Sequence, residues 1–165
     1  MRTRVMRTGL AAIAFLSLAA VEARASAFTW PATGQVWGNW YSIRSGGRQH
    51  QAIDICSTLN SRIYAARGGY LSVQAYSATG YGNYVKVDHD AGYRTVYAHM
   101  NGFYGGRRAV RQGDQVGWMG KTGAANGVIH VHWEVQRWGV RQYVPADNGQ
   151  RVTAKAGINW NFQGL

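Results

Sequence analysis

Beyond the first thirty residues, short segments of alternating apolar and polar residues recur between glycine-rich turns. They run from Tyr70 to Tyr76, Tyr84 to Asp88, Tyr93 to His99, Gln115 to Met119 and Ile129 to Gln136. A period of two is the signature of a strand with one face buried and one face polar. The separating clusters, Ala78-Thr79-Gly80 with Gly82-Asn83 and then Asp90-Ala91-Gly92, are hairpin signals. The pattern predicts a mainly β protein built on an antiparallel sheet. The glycine- and arginine-rich stretch Asn101 to Arg108 reads as the longest loop, either a mobile rim of a groove or, as is commoner for that composition, a plain connection.

Composition agrees, with 22 glycines, 2 prolines and almost no run of helix formers. The first residues have a different character. Arg2, Arg4 and Arg7 precede an apolar run from Gly9 to Val21, which ends in the small-residue signals Ala23-Arg24-Ala25 and Ala25-Ser26-Ala27. That is the layout of a secretory signal peptide. The run has 13 residues, whereas a membrane-spanning helix needs about 20. The sequence thus predicts a leader over residues 1–25, with cleavage after Ala25 preferred to Ala27, and one exported, monomeric domain over 26–165 with no membrane span.

Removing the leader takes away four arginines and Glu22, leaving 14 basic and 6 acidic residues. Such a chain is drawn to polyanions. The arginines are scattered singly apart from Arg107-Arg108, and no recognition motif accompanies them, so nucleic acid is set aside in favour of anionic wall polymers or lipid surfaces, the bland alternative being that the charge only keeps the protein soluble. Gly120-Lys121-Thr122 resembles the end of a phosphate-binding loop, but Gln115 stands where its first glycine is required. Cys56 is the only cysteine, which excludes an internal disulfide.

Four of the five histidines fall in three short segments: His50-Gln51-Ala52-Ile53-Asp54, Tyr97-Ala98-His99 and His130-Val131-His132. Together they suggest a metal site with spare acid and base groups. On a strand, His130 and His132 share a face about 6.6 Å apart, close enough for one to bind an ion and the other to serve its chemistry. Glu134 shares that face, placed either to orient a histidine or to stand exposed. Alternation puts Tyr97 on the His99 face, as a substrate donor or a half-buried strand tyrosine. In an extended chain the Cα atoms of His50 and Asp54 would lie about 13 Å apart. The backbone must bend between them, and Ala52 is the expected place.

The segments H-x-x-x-D-I, G-Y-G-N-Y-V-x-V-D-H, Y-A-H, G-D-x-V-G and H-x-H-W-E follow one another in this order. Over about Gly34 to Val135 the chain resembles the lysostaphin and LytM family of zinc metallopeptidases, which hydrolyse peptide cross-links of bacterial peptidoglycan. The resemblance implies a mostly antiparallel β domain with a groove across the sheet, and one zinc ion held by His50, Asp54 and His132. It further implies His99 and His130 as catalytic histidines, one the general base and the other the partner of the developing oxyanion, with His130 preferred as base and the reverse assignment left open by the sequence. Three protein ligands leave one position for water, whose pKa falls to about 7.

Two departures stand out. Ala52 replaces a common glycine, which would cost about 1 kcal/mol if the bend needed a positive φ. Trp133 replaces a common phenylalanine, a change in core packing. Cys56, two residues beyond Asp54, would face the metal if the strand continued regularly or else fill an apolar slot. Two other classes of function compete with the enzyme: a non-catalytic LytM-like activator or wall-binding protein, and a plain polyanion-binding module.

Overall fold

A computed structural model describes residues 28–38, 40, 42–144, 153–157 and 159–160. The leader segment 1–25 and its cleavage points lie outside them. The strands are β1 (Phe28–Thr29), β2 (Gly34–Gly38), β3 (Ile53–Cys56), β4 (Arg62–Tyr64), β5 (Gly69–Val73), β6 (Asn83–Asp88), β7 (Tyr93–Phe103), β8 (Arg108–Val110), β9 (Gln115–Met119), β10 (His130–Arg137), β11 (Val140–Arg141), β12 (Thr153–Ala154) and β13 (Asn159–Trp160). Among the described residues helix is confined to two single turns.

One sheet runs in the order β12-β2-β3-β10-β7-β6-β5-β8, with β11 added to β10 and β9 linking β7 to β4. All its pairings are antiparallel. The protein is mainly β, with an antiparallel sheet, as the alternation predicts. Strand β10 lies between β3 and β7, and alternation sorts its side chains cleanly. Val131, Trp133 and Val135 enter the core beside Ile53 and Ile55 of β3. His130, His132 and Glu134 take the other face. Each buried Val or Ile contributes roughly 1.5–3 kcal/mol, so the hydrophobic half of these strands fixes where the polar half points. Trp133 is wholly buried, its ring 6.0 Å from that of Trp30.

The five predicted strands are present, with ends displaced by a few residues. Those not foreseen, such as β3 and β4, are too short to show a period. Half of the expected loop Asn101 to Arg108 is strand. Asn101 to Phe103 continue β7, whose Gly102 and Phe103 pair with Trp118 and Gly117, and Arg108 opens β8. Only residues 104–107 connect them, and none lines the groove.

Candidate metal centre

Asp54 and His132 sit directly opposite each other on β3 and β10, and His132 is also opposite Ala98 of β7. His50 reaches the same point because the chain reverses just before β3. Its N–H donates to the Ser42 carbonyl at 2.9 Å, and the next residue, Gln51, has φ 53°. The bend therefore falls on Gln51, one residue before the expected Ala52, which is not among the positive-φ residues. Alanine in place of glycine at 52 incurs no left-handed strain. Gly38 of β2 also matters here, since a Cβ on it would stand 2.5 Å from Asp54 Oδ2.

The donor atoms converge. His50 Nε2 is 3.1 Å from Asp54 Oδ1, His132 Nδ1 is 3.0 Å from the same oxygen, and the two histidine nitrogens are 3.0 Å apart. A tetrahedral zinc ion with bonds of ~2.0–2.2 Å needs ligand atoms roughly 3.3 Å from one another. Two imidazoles and a carboxylate at this spacing fit zinc in type and in distance. Among the described residues this trio is the one group able to hold a metal.

His99 and His130 line the same cleft, which encloses about 960 Å³. His99 Nδ1 donates to the Thr122 carbonyl at 2.8 Å, and His130 Nδ1 to the Val128 carbonyl at 3.0 Å. With Nδ1 donating, the neutral ring keeps its lone pair on Nε2. The rings are 4.6 Å apart, and His130 Nε2 lies 3.8 Å from Asp54 Oδ1. Burial, reinforced by neighbouring histidines, pushes the His99 pKa down to about 4, and burial also lowers that of His130. Both are neutral imidazoles at pH 7.

His99 reaches the cleft by breaking its strand's alternation. Along β7 and β6, Asn83 pairs with Met100 and Val85 with Tyr97, so β7 carries one residue more than its partner. His99 has φ 61°, a bulge that turns its side chain out of register. Tyr97 therefore does not share its face. Tyr97 is fully buried and its hydroxyl takes up the Ala66 N–H and Thr95 Oγ1, each at 2.8 Å. The substrate-donor reading of Tyr97 is excluded.

Glu134 is almost wholly buried and bonds the far side of the proposed ligand ring, Oε1 lying 3.0 Å from His132 Nε2. Tyr81 donates to Oε1 at 2.5 Å, Gln136 to Oε2 at 2.7 Å, and Arg141 Nε stands 3.0 Å from Oε2. Burial alone would raise this carboxyl, but the bonds to His132 and Arg141 outweigh it and hold the pKa near about 2. Burial of Asp54 is likewise outweighed by His132 and His50, so its pKa lies well below the usual range. For His132, the bonds to Asp54 and Glu134 overcome burial and raise its pKa.

The sequence matches the model of peptidase family M23 over residues 48–155, about two thirds of its length. The chain belongs to peptidase family M23. The M23 chain is 33% identical over 89 residues to the DD-carboxypeptidase/endopeptidase Mpg of Neisseria meningitidis serogroup B, covering 54% of this chain and 20% of that protein. It is 27% identical over 121 residues to the murein hydrolase activator NlpD of Salmonella typhimurium, covering 73% and 31%. In fold it is similar to the catalytic domain of lysostaphin from Staphylococcus simulans, with TM-score 0.59, 21% identity and coverage of 67% and 88%. It spans less than half the length of the curated relatives it matches.

Several residues of this M23 site carry no signal of their own in the sequence. Arg141 arrives through a two-residue turn at Trp138-Gly139, both with positive φ, which sets Arg141 opposite Gln136. Thr122, dismissed with the false phosphate loop, locks the bulge. Its hydroxyl accepts from the Asn83 N–H and donates to the Met100 carbonyl, each at 2.9 Å. Arg44 pairs with Asp54 Oδ2 and approaches His50 Nε2 to 2.6 Å. Cys56 faces the cleft instead of an apolar slot, and burial followed by the Asp54 charge pushes its thiol up to about 11.

Proposed function

We propose that residues 26–165 form an exported zinc metalloendopeptidase that hydrolyses peptide cross-links of bacterial peptidoglycan. The observation that carries this reading is completeness: three ligand-type groups and two neutral histidines line one cleft. The envelope association of its relatives, the wall-directed names Mpg and NlpD, and the leader-like N-terminus support it. No helix among the described residues is long and apolar enough to cross a membrane.

His50, Asp54 and His132 would hold one zinc ion, which supplies Lewis acidity and makes water a competent nucleophile near neutral pH. The chain's own residues do the rest. His130 takes the proton from the attacking water through Nε2, its Nδ1 held by the Val128 carbonyl. His99, whose Nδ1 is held by the Thr122 carbonyl, stands beside His130 in the cleft and is the partner of the developing oxyanion, a role in which its Nε2, unprotonated in the resting ring, must take up a proton during the reaction. Glu134 fixes the His132 ring.

The second reading, a non-catalytic activator, is favoured by the NlpD resemblance. Digestion of purified peptidoglycans of different bridge types, with mass spectrometry of the fragments, decides between them. New amino termini released by the parent and not by His130→Ala support the peptidase. No release by the zinc-loaded parent from any wall type refutes it.

A further inference from the structure

The two banks of the cleft differ in charge. One is the hairpin that leads into His50, the other comes from residues 79–81 and 124–128 and offers no charged side chain among its lining residues. The hairpin offers Arg44 and Arg48. Its geometry is built: Ile43 bridges Gln49, the Arg44 N–H donates to the Arg48 carbonyl at 2.8 Å, and Gly46 and Gly47 turn the chain at φ 79° and 75°. The arginines thus stand across from each other, and the ladder continues directly into His50.

The acidic groups on the cleft floor leave the charge of Arg48 uncompensated. Asp54 is occupied by His50, His132 and one nitrogen of Arg44, and Glu134 by His132 and Arg141. Arg48 is exposed and has no ion pair or hydrogen bond from its guanidinium among the described residues. A guanidinium offers up to five donors in a fork that matches a carboxylate. We infer that the Arg44–Arg48 hairpin is a carboxylate-binding subsite, which selects anionic peptides and sets their direction across the metal centre. The inference rests on the peptidase reading. Two carboxylates have the right chemistry, the C-terminal one of a peptide stem and one on a side chain.

Arg44 touches Asp54, so its variants would disturb the proposed metal site, and Arg48 is the residue to change. Wall-type peptides are prepared as the free C-terminal acid or amide, each with a side-chain carboxylate or carboxamide. Their binding is measured by calorimetry on zinc-loaded protein carrying His99→Ala to stop turnover, and their hydrolysis on the parent. At least one acid should bind ten-fold or more tighter than its amide. Arg48→Ala should erase that preference and Arg48→Lys should keep part of it, and the arm showing the preference identifies the carboxylate. Equal binding of acid and amide, including no binding of either, overturns the subsite, as does a preference that survives Arg48→Ala. Hydrolysis without acid preference would sink the subsite and keep the peptidase. Acid preference without hydrolysis would do the reverse.

Discussion

His132 is held from both sides: its Nδ1 stands 3.0 Å from Asp54 and its Nε2 3.0 Å from Glu134, so the ring cannot rotate without losing one partner. Glu134 in turn is fixed by Tyr81, Gln136 and Arg141. Removing such an outer partner commonly weakens metal binding 10- to 100-fold. Glu134→Gln, which keeps the shape and one acceptor, should weaken zinc about ten-fold, and Arg141→Ala by less. Competition with a chromogenic chelator measures both. Unchanged affinity in Glu134→Gln would mean that the ring is fixed by the metal side alone.

The parent should carry about one zinc per chain. His132→Ala should lose it, because a proposed ligand atom is gone. His130→Ala should keep it and lose hydrolysis, because the His130 ring has its own anchor on Val128. Elemental analysis beside a wall-digestion assay tests the pair. Equal loss of zinc from both variants would make His130 a ligand.

His89, the histidine outside the cleft, reports on the fold. Its Nδ1 donates to the Gly68 carbonyl at 2.8 Å, and its Nε2 lies 2.9 Å from Thr95 Oγ1. Burial is the main reason that its pKa drops from 6.5 to about 4. The unfolded chain therefore takes up a proton near pH 6.5 that the folded chain refuses until about pH 4. Stability should fall as pH drops through that window and level off below it, by up to roughly 3 kcal/mol from this group. Denaturant midpoints of the parent and His89→Gln, compared between pH 6.5 and 5, isolate the effect. Parallel curves would show that His89 titrates normally.

Cys56 is on the cleft floor, yet its thiol is pushed up to about 11. At pH 7.5 it should alkylate more than ten-fold more slowly than a free cysteine, for want of thiolate. Cys56→Val should keep zinc and activity within a few-fold of the parent. A variant many times more active would reveal a thiol that competes for the metal.

The strands were legible wherever a period of two had room to repeat, as in β10, where three apolar residues alternate with His130, His132 and Glu134. Residues 53–56 form too short a strand to betray themselves. The site's outline was legible because His50, Asp54, His99, His130 and His132 are chemically distinctive residue types in a recurrent order. Their supports were not. Arg141 and Thr122 are brought in by a tight turn and a close glycine contact at Gly82, whose Cβ would lie 2.4 Å from Thr122. Alternation also misplaced Tyr97, since a one-residue bulge inverts every face beyond it.

That extra residue sets two demands on β7 against each other. Deleting one position between Ala98 and Met100 would restore plain pairing with β6 and remove a left-handed histidine, a conformation costing roughly 1–2 kcal/mol. The sheet would be more regular, and the cleft would lose His99. Selection for thermal robustness alone should erode this irregularity, so its persistence under such selection would measure how much the organism depends on the chemistry.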